Sequence, residues 1–260
     1  MRWRPEEEAV LLCTLALRGP DQDQRLCELL RSRTLDWSLF WAKAMDQQVH
    51  PLVAHTLSGE PFLSALPEVA STTRNVRLWT LRYNAFLEAE LHCIAAQLRT
   101  RGIPMAPLKG TYLTRRLFDS LEVRRVGDID IFVQQSYVEE ARSALRDMGY
   151  EPARDRPTDH TFHGVPWVRQ TPTAPVMVEV HWGLSDPDYV SIDYAALWQR
   201  ILAGGVGDQA WYTLPTEELI LFLALHLAKN QAGVLRLLAD IDRLVRREEG
   251  RIDWPYALER

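Results

Sequence analysis

Between residues 175 and 182 the chain alternates strictly. Val176, Val178 and Val180 take one side of an extended segment, while Met177, Glu179 and His181 take the other. A strand with one wholly aliphatic side must bury that side against a core. The chain therefore needs a sheet whose opposite face carries an acid and a histidine. Residues 128–133, Asp-Ile-Asp-Ile-Phe-Val, are β-branched and largely alternating, and read as a second strand. Met105 to Leu108 is a short apolar run, and further strand-like pieces fall near 150–153 and 160–169.

Helical periodicity fills the rest. Residues 5 to about 101 are almost entirely helical in pattern, with Pro5 suited to a first helical position and Gly19-Pro20 ending that helix. Asp21 and Asp36 are expected caps for the next two segments. A long helix is expected from about Pro67 to Arg101, its stripe Leu87, Leu91, Ile94 and Leu98 facing a core and Gly102 stopping it. Lys109-Gly110 opens a helical segment to about Phe118, and Ser136 with Glu139 has the spacing of a capping box for a helix through about Met148. From Ser191 helices return. Thr216 begins one that reaches Lys229, and Val234 to Arg247 carries Leu235, Leu238, Ile241 and Leu244 on one side. The expected fold is α+β: a small mixed sheet flanked by helices, with a helical N-terminal region at 1–101, a core at 102–190 and a C-terminal helical bundle at 191–260.

Composition narrows the function classes. Apolar residues make up 47% and charged residues 25% of the 260, ordinary globular usage. No run approaches the ~18 consecutive apolar residues of a membrane span. Ala9 to Leu17 is apolar but follows Glu6-Glu7-Glu8, so it reads as a buried helix and not as a secretory leader. A net charge of −5 argues against blanket phosphate neutralisation, so extensive DNA binding is not expected. Cys13, Cys27 and Cys93 are too few and scattered for a disulfide framework or zinc site, which fits reduced, structural cysteines and a cytoplasmic location. Most of the nine tryptophans, including Trp37, Trp41 and Trp79, fit helix stripes and read as core.

The sharpest chemical signal is Gly127-Asp128-Ile129-Asp130. Two residues apart on a strand, both carboxylates share a face, roughly 6.5–7 Å apart along the backbone. Burying two like charges is costly without a cation between them, and hard oxygen donors suit Mg²⁺ or Mn²⁺. Glu179, 51 residues beyond Asp128, lies on the non-aliphatic face of its own strand, where a neighbouring strand can present the aspartates. Alone, Asp-x-Asp also describes a solvent-facing strand edge. Leu108-Lys109-Gly110-Thr111 is a strand-to-helix turn in which glycine permits close approach, the helix start offers free N–H groups, and Lys109 adds a charge. Arg124 and Arg125, just before the aspartates, either hold a polyphosphate or form a solvated basic patch.

Taken together, the run LKGTYLTRRLF, RRVGDIDIFV, ARSALRDMGY and VMVEVHWGL resembles the bacterial nucleotidyltransferases of the DNA polymerase β superfamily, specifically the subfamily with a lysine-glycine, Asp-x-Asp and Glu-x-His-Trp signature. The resemblance is concentrated in about 108–183. His226-x-x-Lys229 and Asp240 are similar to that subfamily's helical segment. It implies a nucleotidyltransferase-type sheet binding a nucleoside triphosphate and two Mg²⁺. Asp128 and Asp130 would ligate metal, Glu179 would be the third carboxylate, and Gly110 and Thr111 would stand for the small residues of the phosphate-cradling turn. Two features depart from the superfamily pattern: threonine after the turn glycine, with lysine before it, and glutamate where aspartate is usual.

Other candidates keep two readings. His181 either orients Glu179 or contacts substrate, or is a hydrogen-bonded strand-end histidine. His226 and Lys229 share a helical face and can reach a base or phosphate, though His226 also reads as a core histidine. Asp240 reads as a local partner of Arg243. Asp159, His160 and His163 offer metal-ligating types without helical spacing. The expected function is metal-dependent transfer of a nucleoside monophosphate to an acceptor hydroxyl on a small molecule, a protein or peptide, or an RNA end. The alternatives are a nucleotide-binding regulatory module without turnover and a toxin-like enzyme acting on RNA.

Overall fold

Proline and glycine set the helix boundaries in the computed structural model, which describes residues 3–153, 164–188, 190–206, 211–229 and 234–259. Helices α1 (Pro5–Thr14) and α2 (Pro20–Arg31) each begin with proline. Gly19, not Asp21, stands at the α2 cap. Its N–H donates to the Gln22 side chain at 2.9 Å, because proline takes the first helical position and draws Asp21 inside. Asp36 does cap α3 (Trp37–Asp46), accepting from the Leu39 N–H at 3.0 Å. Helix α4 covers His50–Leu57 and α5 covers Pro67–Thr100. Gly102, at φ +68°, ends α5 by letting the Ile103 N–H turn back to the Leu98 carbonyl at 3.0 Å.

The remaining elements follow in the expected order. They are β1 (Met105–Pro107), α6 (Gly110–Leu117), β2 (Ile129–Val133), α7 (Val138–Asp147), β3 (Glu151–Pro152), β4 (Trp167–Arg169), β5 (Val176–His181), α8 (Tyr194–Ala203), α9 (Thr216–Lys229), α10 (Leu235–Arg247) and α11 (Trp254–Glu259). The Ser136–Glu139 capping box does not form. A 3₁₀ turn at Gln135–Tyr137 precedes α7, and Glu139 pairs outward with Arg142 at 2.8 Å instead of reaching back. Asp159, His160, His163 and the first part of the strand expected at 160–169 lie outside the described residues. Among the described residues, no helix is long and apolar enough to cross a membrane.

The chain divides into two compact units. One comprises Met1–Asn84, Thr114–Arg125 and Leu223–Arg251 and is helical. Its core includes Ala9, Leu30, Phe40, Val53 and Leu57, with Trp37 and Trp41 packed partly buried against it and edge-on to Phe40. Trp79 departs from the expected core stripe: it is 53% exposed and stacks on Tyr83 at 5.1 Å. On α10 the inward positions include Leu237, Asp240 and Leu244, while Leu238 is 45% exposed. The buried stripe is rotated from the expected one because Arg124 holds Asp240 inward. The Cys13 thiol is buried, which pushes its pKa up to about 12. Cys27 is half-buried.

The other unit, Ala85–Leu113, Val126–Phe222 and Ile252–Arg260, holds the sheet, in the order β1-β2-β5-β4-β3. Cys93 belongs here and is exposed, which departs from the structural role read for the cysteines. Strands β2 and β5 are parallel; the other pairs are antiparallel. All five residues of β2 are buried. In β5 the valines are buried as the alternation requires, each nearly without exposure. Phe132, on the opposite face of β2 from Ile129, Ile131 and Val133, stacks on Trp198 of α8 at 4.9 Å. The Tyr212 N–H donates to the Met105 carbonyl at 3.0 Å, covering the outer edge of β1.

Candidate functional site

The parallel register of β2 and β5 sets Asp130 opposite Glu179 and Phe132 opposite His181. Neighbouring strands are about 4.8 Å apart, so residues paired in this register and on one face present their side chains together. One ligating atom each from Asp130, Glu179 and His181 lies within 4.8 Å of the others. His181 Nε2 is 2.9 Å from Asp130 Oδ1 and 3.4 Å from Glu179 Oε2. Lys109, from the turn between β1 and α6, brings its Nζ to 3.1 Å from the same Asp130 Oδ1. Asp130 is 1% exposed and His181 5% exposed.

Charge state follows from these contacts. Burial alone would raise the Asp130 pKa, but the Lys109 ammonium and the His181 hydrogen bond hold the carboxyl well below the usual carboxylate range. Glu179 is likewise lowered: burial and the Asp130 charge oppose its ionisation, and the His181 hydrogen bond with the Lys109 charge outweighs them. His181 is raised, since burial disfavours its cation less than the two carboxylates favour it. Lys109 is raised against its own burial by Asp130, then Asp128 and Glu179. The two acids are thus ionised at neutral pH.

Among the described residues, the buried Asp130 Oδ2 has no hydrogen-bond partner. An unsatisfied buried carboxylate oxygen is costly, and a cation is what offsets it. Two hard carboxylates, one with an oxygen unpartnered, and an imidazole that orients them form a set that fits a divalent ion.

The glycine turn serves this cluster directly. Gly110 has φ +68°, and a β-carbon there would stand 3.2 Å from the Asp128 carbonyl oxygen and 3.5 Å from Val126 Cγ1. Backbone geometry and space both require glycine, because the turn presses against the segment that leads into β2. Thr111 is 2% exposed and sits within the first turn of α6. Asp128 lies one residue before β2, half-buried, and its charge acts on Lys109.

The expected acids Asp130 and Glu179 are therefore together, but the third member of the tight cluster is His181 and not Asp128. Its place as the second residue beyond Glu179 on one strand face was the signal for it. Lys109, expected to add a charge beside the turn, has its ammonium on a carboxylate. Arg124, Lys229 and His226 belong to the helical unit. Arg124 is buried there and gives its Nε and Nη2 to Asp240 at 2.9 and 3.0 Å. Asp240 is consequently not a local partner of Arg243, which donates to the Thr14 carbonyl at 2.9 Å and lies over Phe118. His226 is half-buried and Lys229 exposed.

A family model described as an uncharacterised nucleotidyltransferase matches residues 33–260. The chain belongs to this family. Comparison with curated proteins and with solved structures gives no match. For this nucleotidyltransferase family member, the match spans both the sheet unit and most of the helical unit. The Asp130–Glu179–His181 cluster and the Gly110 turn both lie within the matched residues.

Proposed function

We propose that the protein is a metal-dependent nucleotidyltransferase of the DNA polymerase β superfamily, transferring a nucleoside monophosphate from a nucleoside triphosphate to an acceptor hydroxyl with release of pyrophosphate. The observation that carries this reading is the pairing of ionised Asp130 and Glu179 across parallel strands, with Asp130 Oδ2 unpartnered beside the Gly110 turn.

Asp130 and Glu179 hold the cation, Mg²⁺ or Mn²⁺, and Asp128 adds a carboxylate at the mouth of β2. A bound divalent ion supplies charge neutralisation for the triphosphate and lowers the pKa of the acceptor hydroxyl. His181 fixes the orientation of both carboxylates by hydrogen bonding to each. The N–H groups of Gly110 and Thr111 at the start of α6 receive phosphate oxygens, and Lys109 adds a positive charge to them. Arg124 serves the fold of its own unit, since its guanidinium is committed to Asp240. Glu179 accepts the acceptor's proton. The acceptor itself is a small molecule, a peptide or protein, or an RNA end.

The test is transfer of label from α-labelled nucleoside triphosphates in the presence of Mg²⁺ and cell extract. Label reaching an acceptor with the wild type, and lost with Asp130→Asn, supports the enzyme. Tight nucleotide binding with no transfer under any condition overturns it in favour of a regulatory module.

A further inference from the structure

Lys109 is a cation already resident at the site. Its ammonium is 3.1 Å from Asp130 Oδ1, and its side chain is only 14% exposed. Together with His181 Nε2 at 2.9 Å, it occupies that oxygen's accepting directions and leaves only Oδ2 unpartnered. The lysine is rooted one residue before Gly110, whose left-handed backbone starts α6. Its root therefore lies beside the N–H groups proposed to hold phosphate. A flexible four-carbon stem on such a root can reach either the carboxylate or a phosphate.

We infer that Lys109 is a tethered counter-ion that competes with the divalent metal for Asp130 and yields it when a triphosphate draws the ammonium away. The inference rests on the metal-site reading above and adds an order of events to it. Without nucleotide, the ammonium partly neutralises the acids and repels a second cation at the same carboxylate. When a triphosphate arrives, its charge offers Lys109 a better partner, and Asp130 is freed for the metal. The protein then takes metal together with nucleotide and holds it poorly alone. Such a device offsets the charge of the buried acids in the resting protein, where an uncompensated pair would be costly. It also ties assembly of the site to the presence of substrate.

Metal binding, not turnover, is the readout. Mn²⁺ alone is titrated into wild type, Lys109→Met, Lys109→Arg and the doubles Lys109→Met/Asp130→Asn and Lys109→Met/Glu179→Gln, following loss of the free-ion EPR signal. Methionine keeps the buried stem and removes the charge. The expected result is binding at least tenfold tighter in Lys109→Met than in wild type, with Lys109→Arg behaving as wild type. Both doubles should lose the gain; two are used because either one alone could fold poorly, and thermal melts identify that. Equal affinity in wild type and Lys109→Met, lost in the doubles, overturns the counter-ion role while the metal site stands. Absence of Mn²⁺ binding in every protein, even with a non-hydrolysable triphosphate added, overturns the metal site and this inference with it.

Discussion

Asp240 and Asp130 are each 1% exposed, yet the protein satisfies them in opposite ways. In the helical unit both oxygens of Asp240 are taken: Arg124 Nε reaches Oδ1 at 2.9 Å and Oδ2 at 3.1 Å, Arg124 Nη2 reaches Oδ2 at 3.0 Å, and Arg236 stands 3.6 Å away. In the sheet unit Asp130 has one oxygen shared between Lys109 and His181 and the other without a partner. A planar guanidinium saturates a carboxylate and locks two elements together. A lysine and a histidine on one oxygen leave the carboxylate open to something else. Burial by itself does not separate these two acids; the unfilled lone pairs of Asp130 do.

Replacing each acid by its amide is the most direct way to break that contrast. Asp130→Asn should reduce label transfer by at least a thousandfold, about 4 kcal/mol of transition-state stabilisation, while the melting temperature moves by no more than a few degrees. Asp240→Asn should do the reverse. It leaves the Arg124 charge buried and under-paired, at a cost of about 3–5 kcal/mol in unfolding free energy by denaturant titration. The double replacement Arg124→Met/Asp240→Leu should recover most of that loss, since both members of the fully buried pair are then apolar. If Asp130→Asn melts as badly as Asp240→Asn, the distinction between the two acids collapses.

The turn glycines extend the contrast at a smaller scale. Gly110 and Gly149 both have left-handed backbone, at φ +68° and +82°. Alanine at either should cost roughly 1–2 kcal/mol of stability from the backbone alone. Only Gly110 has backbone in the way, the Asp128 carbonyl at 3.2 Å; the nearest atom to a β-carbon at Gly149 is the flexible Arg169 Cδ at 3.7 Å. Gly110→Ala is therefore expected to lower transfer at least tenfold by shifting the approach to β2. Gly149→Ala should lose comparable stability and keep its rate. Matching losses of rate in both variants would show that general loosening, and not the Asp128 contact, is responsible.

Much of this was legible in the sequence where a single periodicity decides. The valine alternation of β5 and the acids of β2 placed Asp130 and Glu179 on facing strands, and Gly102 and Asp36 marked real helix ends. What the sequence concealed depends on partners distant along the chain. Leu238 is exposed and Asp240 buried because Arg124, 116 residues earlier, fixes the rotation of α10. The Ser136–Glu139 spacing promised a cap, but Glu139 had a nearer cation in Arg142. His181 and Lys109 converge on one oxygen only because β1, β2 and β5 are neighbours, and strand order is not written in local spacing.

Histidines provide the smallest test. His181 lies between two carboxylates and its pKa is raised; His50, at the start of α4, has a buried Nδ1 without a partner and is lowered to about 4. Burial is the main cause for His50, the Arg125 charge adds to it, and the positive end of α4 acts in the same direction. Because the folded pKa lies below the unfolded value of about 6.5, the unfolded chain binds more protons between those two limits. The His50 contribution is therefore fully present above pH 6.5 and is lost as pH falls towards 4. Since His50 is partly exposed, the loss should be on the order of 1 kcal/mol. His50→Asn should flatten the slope of unfolding free energy against pH across that window. His181→Asn should act in the opposite sense, because its stabilisation is present at low pH and fades as pH rises through its raised value. A slope that His50→Asn leaves untouched would mean that some other group carries the acid sensitivity of the helical unit.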